Sequence, residues 1–330
     1  MAKKTFEQVI AEALKEYPNT ATMTLARLLY KEHPKLFTSL EACRSAIRYR
    51  RGNNGAKHRN AATDKTHFRK NGEAGFKFEI PQSIANPLKT FQMPQGKTLL
   101  LADIHFPYHD DEALACALNH GDSIEPDTIY MNGDCMDFFS ISRWDKNPEE
   151  RNLPRELQLC RQFLAHLRER FPKARIIYKI GNHEERWEKY LWAKCPELCG
   201  CEFLSFEKIL DFSKWGIEIV QGKQKAKWGT HLTAIHGHEI FGGFSPVNFA
   251  RTLQTKMGVC TIGAHRHQTS EHGQKNADGD FVRCWGVGCL CDMHPDYATI
   301  NGWNHGLAEI ELYKNDFRVK NRLIMNGEVY

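Results

Sequence analysis

Apolar residues recur at three- and four-residue spacings through Phe6, Val9, Ile10, Ala13 and Leu14, which predicts an amphipathic helix over residues 6–17. A second helix is expected over residues 22–32, with Pro34 marking the break after it. Thr38 and Glu41 stand in the relation of a capping box and open a third helix, running to about residue 50. On that helix Ala42, Cys43, Ala46 and Ile47 share one face, while Arg44, Arg48 and Arg51 fall together on another. Three short helices with one basic face read as a helix-turn-helix-like module over residues 1–52. The alternative is a small bundle with a solvated arginine face.

Residues 53–95 begin without apolar periodicity and are rich in Gly, Asn, Lys and Arg, so a flexible basic linker is expected there. From Lys97 the texture changes to short apolar runs that end in Asp, Gly, Asn or His. Strands are expected at residues 98–102, 128–131, 175–180, 232–235, 259–262, 281–287 and 307–313, with helices at 111–120, 154–170 and 184–192. Strands alternating with helices indicate an α/β domain over residues 96–330.

Charge sharpens this division. The whole chain of 330 residues carries a formal +5, yet residues 1–72 hold 15 Lys or Arg against 6 Asp or Glu, which leaves the remainder net acidic. The basic front predicts an acidic partner, nucleic acid with DNA first, for the amino-terminal part. No stretch approaches the length of apolar sequence that crosses a bilayer, so no membrane partner and a cytoplasmic location are expected. The 11 cysteines are diluted in a long chain with no export signal and read as reduced thiols.

Nearly every expected strand is followed at once by a residue with metal-ligand chemistry. Asp103 and His105 follow residues 99–102, and in an extended chain residues two apart point to the same side. Asp134 follows the next strand and has two carboxylate oxygens with which to bridge two cations. Asn182 offers a carbonyl oxygen after residues 176–180, and His183 beside it is left for chemistry. His236 follows a fourth strand, and His265 and His267 follow a fifth at the same two-residue spacing. Five such motifs in a fixed order make chance a poor explanation.

In identity, order and approximate spacing, over roughly residues 97–310, these motifs resemble those of the calcineurin-like metallophosphoesterase superfamily. The resemblance implies a double β-sheet sandwich flanked by helices. It implies a first metal held by Asp103, His105, Asp134 and His267, and a second held by Asp134, Asn182, His236 and His265. His183 would then be the catalytic histidine and Asp137 its orienting partner. Asp137 is followed by Phe138 and Phe139 rather than by the Arg-Gly of the phosphoprotein phosphatases, which moves the resemblance toward the SbcD-type nuclease branch. It moves closer still to bacterial and phage phosphoesterases with a similar opening, here Asp103 to Asp110.

Two divalent cations about 3.5–4 Å apart lower the pKa of a shared water, giving a bridging hydroxide for in-line attack on phosphorus. Mixed His, Asp and Asn donors suit Mn first, or Fe, Zn, Co or Ni. His109, Arg143 and Arg266 lie near the expected site loops and are candidates to contact substrate. The expected activity is a two-metal phosphodiesterase or nuclease. A phosphomonoesterase or small-molecule phosphatase is the second reading, and a non-catalytic DNA-binding regulator the third. The clusters at Cys195, Cys199, Cys201 and at Cys284, Cys289, Cys291 lack paired Cys-x-x-Cys spacing, so a structural zinc is not expected from them.

Overall fold

A computed structural model describes residues 4–52, 82–85, 89–144, 147–240, 248–314 and 316–330. The chain divides into two compact units, Met1–Ala85 and Asn86–Tyr330.

The described part of the first unit contains three helices, α1 (Phe6–Glu16), α2 (Thr22–Glu32) and α3 (Leu40–Arg51). Val9, Ile10, Leu25, Leu29, Phe37, Cys43 and Ile47 form its core, as the apolar spacing requires. The capping box falls on α1, where Thr5 accepts from the Gln8 amide and Gln8 answers to Thr5. At α3 the cap is Ser39 rather than Thr38, and Glu41 pairs instead with Arg44 at 3.0 Å. Arg51 also departs from expectation. It is buried, donating to Thr22 Oγ1 at 3.1 Å and to the Pro18 carbonyl, so it ties α3 to the start of α2. Burial removes Arg51 from any basic surface, whereas Arg48 and Arg50 remain exposed. Seven residues, 33–39, separate α2 from α3, against the three or four of a helix-turn-helix turn.

The expected linker lies mostly outside the described residues. Its end does not: Thr90–Gln92 forms β1, which pairs in parallel with β6 (Lys225–Trp228). The second unit is built from two sheets. One has seven strands in the order β13-β12-β11-β2-β3-β4-β5, and the other has six in the order β1-β6-β7-β8-β10-β9. In the first, β2 (Gly96–Leu101), β3 (Thr128–Met131), β4 (Arg175–Lys179) and β5 (Ile217–Val220) are parallel. They are extended antiparallel by β11 (His305–Tyr313), β12 (Asp316–Met325) and β13 (Glu328–Val329). In the second, β7 (Leu232–Ala234), β8 (Thr261–Gly263) and β10 (Phe281–Gly286) run parallel, and β9 (Ser270–Lys275) closes the edge.

Alternation along the strands sorts the side chains into layers. Leu100, Tyr130 and Ile177 face inward and meet Trp228, Ala234, Ile262 and Trp285 between the sheets. Their neighbours Leu99, Leu101, Ile129, Met131 and Ile176 face outward, against the helices Asp111–Ile124 and Leu153–Arg170. The helix Phe249–Met257 covers the outer face of the second sheet through Phe249, Ala250 and Leu253. This is the expected double sandwich flanked by helices. It brings the carboxyl ends of β2, β3, β4, β7 and β8 to one place.

Candidate metal centre

Each of those five strands ends within three residues of an expected ligand, and the side chains converge. Asp103, His105 and Asp134 form one cluster of donor atoms within 4.8 Å of one another, and Asp134, His236 and His265 form a second, so Asp134 belongs to both. His267 Nε2 lies 3.5 Å from Asp103 Oδ1, and Asn182 Oδ1 lies 3.2 Å from His236 Nε2. All seven expected residues are thus brought together.

The means of convergence is not the extended spacing expected from the sequence. Asp103, His105, Asp134, His265 and His267 all lie in left-handed backbone, with φ of +50°, +56°, +52°, +71° and +55°. Such a conformation costs a non-glycine residue about 1–3 kcal/mol. Five at one site argue that the loops are held there for function rather than by local preference. The loops double back, so that Ile104 is buried in the core while its neighbours Asp103 and His105 face the cluster. Gly133 (φ +91°) is required too: a Cβ there would meet the His236 ring at 2.6 Å.

Buried partners set the orientation of the donors. His236 Nδ1 donates to the Asn132 carbonyl at 2.7 Å, which turns Nε2 toward Asp134 Oδ2 at 3.0 Å. His105 Nδ1 faces Asp137 Oδ2 at 3.0 Å. Asp103 Oδ2 accepts from the His265 amide, and Asp134 Oδ1 from the His183 amide, each at 2.9 Å. The other ends of these groups point at one another. Among the described residues, Asp103 Oδ1 and His105 Nε2 are buried without any hydrogen-bond partner, an expensive state that a cation would relieve. Burial opposes a protonated His236, but Asp134, Asp103 and Glu239 overcome it and lift this group to about 10. His265 is driven down to about 3 by burial and by the charge on His236. A pocket that draws a proton onto one imidazole and orphans two other donors fits divalent cations.

Asp137 serves both His105 and His183: its Oδ2 lies 3.3 Å from His183 Nδ1, while its backbone carbonyl sits 2.9 Å from the same nitrogen. Burial would raise the Asp137 carboxyl, but His105 and His183 hold it far below the usual range.

Five supporting residues carry no mark in the sequence that assigns them to the site. Glu184, fully buried, accepts from the amides of Asp134, Cys135, Met136 and Gly181 and from the Tyr178 hydroxyl, at 2.8–3.1 Å, and so clamps two ligand loops together. Arg186 donates to the Asp137 carbonyl at 2.7 Å and places Nη2 3.0 Å from His183 Nε2. That contact requires a lone pair on Nε2. It opposes the pull of Asp134 and Asp137, which favour protonation of His183 against the cost of burial. The fully buried Lys179 lies 3.0 Å from Glu239, which in turn accepts from the His236 and Gly237 amides. Cys291 brings its sulfur to 3.8 Å from His267 Nδ1. The available signals were positional: Arg186 stands one helical turn after His183, and Glu239 three residues after His236.

The tentative substrate contacts fare differently. His109 packs on Phe106 at 4.4 Å between ring centroids and faces Asp111 at 3.1 Å. Arg143 lies over the exposed Trp144 ring at 4.8 Å, and Arg266 is exposed beside His265. Among the described residues no helix is long and apolar enough to cross a membrane.

The fold and the order of its strand-end residues agree with the metallophosphoesterase resemblance. No protein-family model matches the chain. It is 28% identical over 183 residues to the Gene 54 protein of Mycobacterium phage L5, covering 52% of this chain and 69% of that protein. The Gene 54 protein of Mycobacterium phage D29 is 28% identical over 181 residues, with the same coverage. Similar solved structures include vacuolar protein sorting 29 from Cryptosporidium parvum (12% identity, TM-score 0.39, 71% of this chain and 94% of that one). Another is the Zn2+ complex of Vps29 from Entamoeba histolytica (12%, 0.36, 71% and 96%). A third is YfcE, a phosphoesterase from E. coli (13%, 0.33, 68% and 98%).

Proposed function

We propose that this chain is a metal-dependent phosphoesterase that hydrolyses phosphodiesters in nucleic acid. The observation that carries the reading is the cluster of seven donors at converging strand ends, with Asp134 shared between two groups of ligands. Asp103, His105, Asp134 and His267 would hold one cation and Asp134, Asn182, His236 and His265 the other. These His, Asp and Asn donors suit Mn, Fe, Zn, Co or Ni, and the Cys291 sulfur also comes within 4.8 Å of the donor atoms of His105 and His267.

When bound, the cations supply Lewis-acid polarisation of a phosphoryl oxygen and a nucleophile at neutral pH. The protein's own work is positioning. Asp137 and the Asn132 carbonyl fix the rings of His105 and His236, so no ligand must reorient during reaction. Arg186, once its contact with His183 is exchanged for a phosphoryl oxygen, would neutralise substrate charge. His183 would then be free to carry a proton toward the departing oxygen, with Asp137 holding its Nδ1 side.

The nucleic-acid part of the proposal is supported by the basic amino-terminal unit, with Arg48 and Arg50 on its surface. A phosphomonoesterase or small-molecule phosphatase is the second reading. It is favoured by a compact cavity of about 210 Å3 that includes His105 and Asp137 in its lining. Rates on bis-p-nitrophenyl phosphate, p-nitrophenyl phosphate and single- and double-stranded DNA, with Mn added, separate these readings. The proposal expects the diester to exceed the monoester and DNA to be cleaved. Preference for the monoester with intact DNA would reject it.

A further inference from the structure

The cavity beside the metal centre has walls of a kind that phosphate chemistry does not call for. Tyr108, Phe139 and Tyr297 give it aromatic surface, and Pro295 adds an apolar one. Tyr108 and Phe139 meet edge to face at 5.7 Å. Tyr297 is 75% exposed although it belongs to an aromatic chain, with Trp303 6.2 Å away and His267 4.1 Å beyond that. A large ring left uncovered next to a buried polar centre offers a stacking surface.

Apart from the exposed His294, the polar groups at the rim of the lining point the same way. Glu150, Asp292 and Asp296 are exposed carboxylates of this cavity, and no Lys or Arg is among its described lining residues. Carboxylates repel a second phosphate, so the continuing backbone of a nucleic acid is disfavoured here. They accept hydrogen bonds from ring and exocyclic N–H groups, as Asp and Glu do from cytosine N4. His105, whose Nε2 is buried without a partner, and Asp137 join this cavity to the catalytic cluster.

We infer that the cavity is a base-binding subsite, which takes the ring of one nucleotide while its phosphate lies at the Asp103–His267 cluster. Within the proposed phosphoesterase, on which the inference rests, the subsite selects amino-bearing bases. Cytosine, adenine and guanine present an amine to Glu150, Asp292 or Asp296, whereas uracil and thymine offer one ring N–H flanked by two carbonyl oxygens that the carboxylates repel. The occupant is therefore a single unpaired base or a small nucleotide rather than a stacked duplex.

The test measures binding of cytidine, guanosine and uridine, which carry no phosphate, to the full chain in EDTA by saturation-transfer NMR and titration. Cytidine and guanosine should bind at least about tenfold more tightly than uridine, in line with the worth of a directed amine contact. Tyr297→Ala should weaken all three by about tenfold or more through lost stacking. The Asp292→Asn/Asp296→Asn double variant, which retains Glu150, should reduce the preference for cytidine over uridine while Tyr297-dependent binding persists. Circular dichroism checks that each variant is folded, and exposure of all three side chains makes folding expected.

Equal binding of uridine and cytidine, or no nucleoside binding, would overturn the subsite. So would capture of argininamide in place of nucleosides, which would mark the cavity as a cation pocket. The outcome is separable from that of the phosphoesterase reading. Nucleoside binding that responds to Tyr297→Ala in a chain without Mn-dependent hydrolysis leaves the subsite standing and removes the hydrolase. Hydrolysis of bis-p-nitrophenyl phosphate without nucleoside binding does the reverse.

Discussion

At the scale of single residues, which side chains converge was legible in the sequence and the backbone that converges them was not. Asp103, His105, Asp134, His236, His265 and His267 announce themselves because each interrupts or follows an apolar run with a polar group. The left-handed backbone of all of these but His236 leaves no such mark, since no glycine stands at those positions. Arg186 and Glu184 were missed for a different reason: a charged residue early in a helix looks like ordinary helix chemistry. Yet Glu184 satisfies four backbone amides that have no strand partner. Glu184→Gln places an amide donor against those donors, and should lower stability by at least about 2 kcal/mol. Urea unfolding measures it, and an unchanged midpoint at unchanged slope would show that the clamp is dispensable. His183→Ala should retain the metals and lose about 10²- to 10⁴-fold in kcat, the usual worth of a positioned acid or base. An unchanged rate on an unactivated phosphoester would remove His183 from the chemistry.

At the scale of elements, strands that feed the site were legible and strands that merely close the sheets were not. The sequence of β9, Ser-Glu-His-Gly-Gln-Lys, contains no aliphatic residue, and it pairs only with β10 at a sheet edge. The strand β1 has one half-buried residue and lies inside what reads as linker. By contrast β2, β3 and β4 are buried on both faces and appear as apolar runs. One polar contact between elements carries a pH signature. Glu309 on β11 is buried among His120 at 3.0 Å, Lys320 at 2.8 Å and Arg322 at 2.9 Å. Burial raises its carboxyl, but hydrogen bonds from Lys320, Arg322 and His120 bring the group below its ordinary value. A depressed carboxyl stabilises the fold above the unfolded glutamate pKa of about 4.3, and that contribution fades as pH falls through the folded value. Glu309→Gln should therefore cost stability at pH 7 and progressively less below about pH 4, as read from urea midpoints at each pH. A gap that is constant with pH would assign the loss to packing instead.

At the scale of the whole molecule, composition separates a basic front from a net acidic remainder, and the chain divides into Met1–Ala85 and Asn86–Tyr330. The α1–α3 unit carries the basic charge, but not on the residues the helix face suggested. Arg51 lies one turn after Ile47 and Arg48, where the helix ends against Thr22 and Pro18, so a charge at that register becomes a buried tie. If the unit holds nucleic acid, Arg48→Ala/Arg50→Ala should weaken DNA binding and reduce the slope of log affinity against log salt by about one per lost phosphate contact. Turnover on bis-p-nitrophenyl phosphate should not change. A salt slope identical to that of the parent chain would place the DNA contact elsewhere.

If this chain is a phosphoesterase, Asp134, shared between both groups of candidate ligands, is the side chain it can least do without. The purified chain and its Asp134→Ala variant are stripped with chelator, and hydrolysis of bis-p-nitrophenyl phosphate is followed as Mn is restored. Turnover should be absent without metal, should rise and saturate in the parent chain, and should fall by at least about 10³-fold in the variant, because Asp134 belongs to both groups of candidate ligands. Hydrolysis that persists in chelator, or a variant as active as the parent, would contradict the phosphoesterase reading.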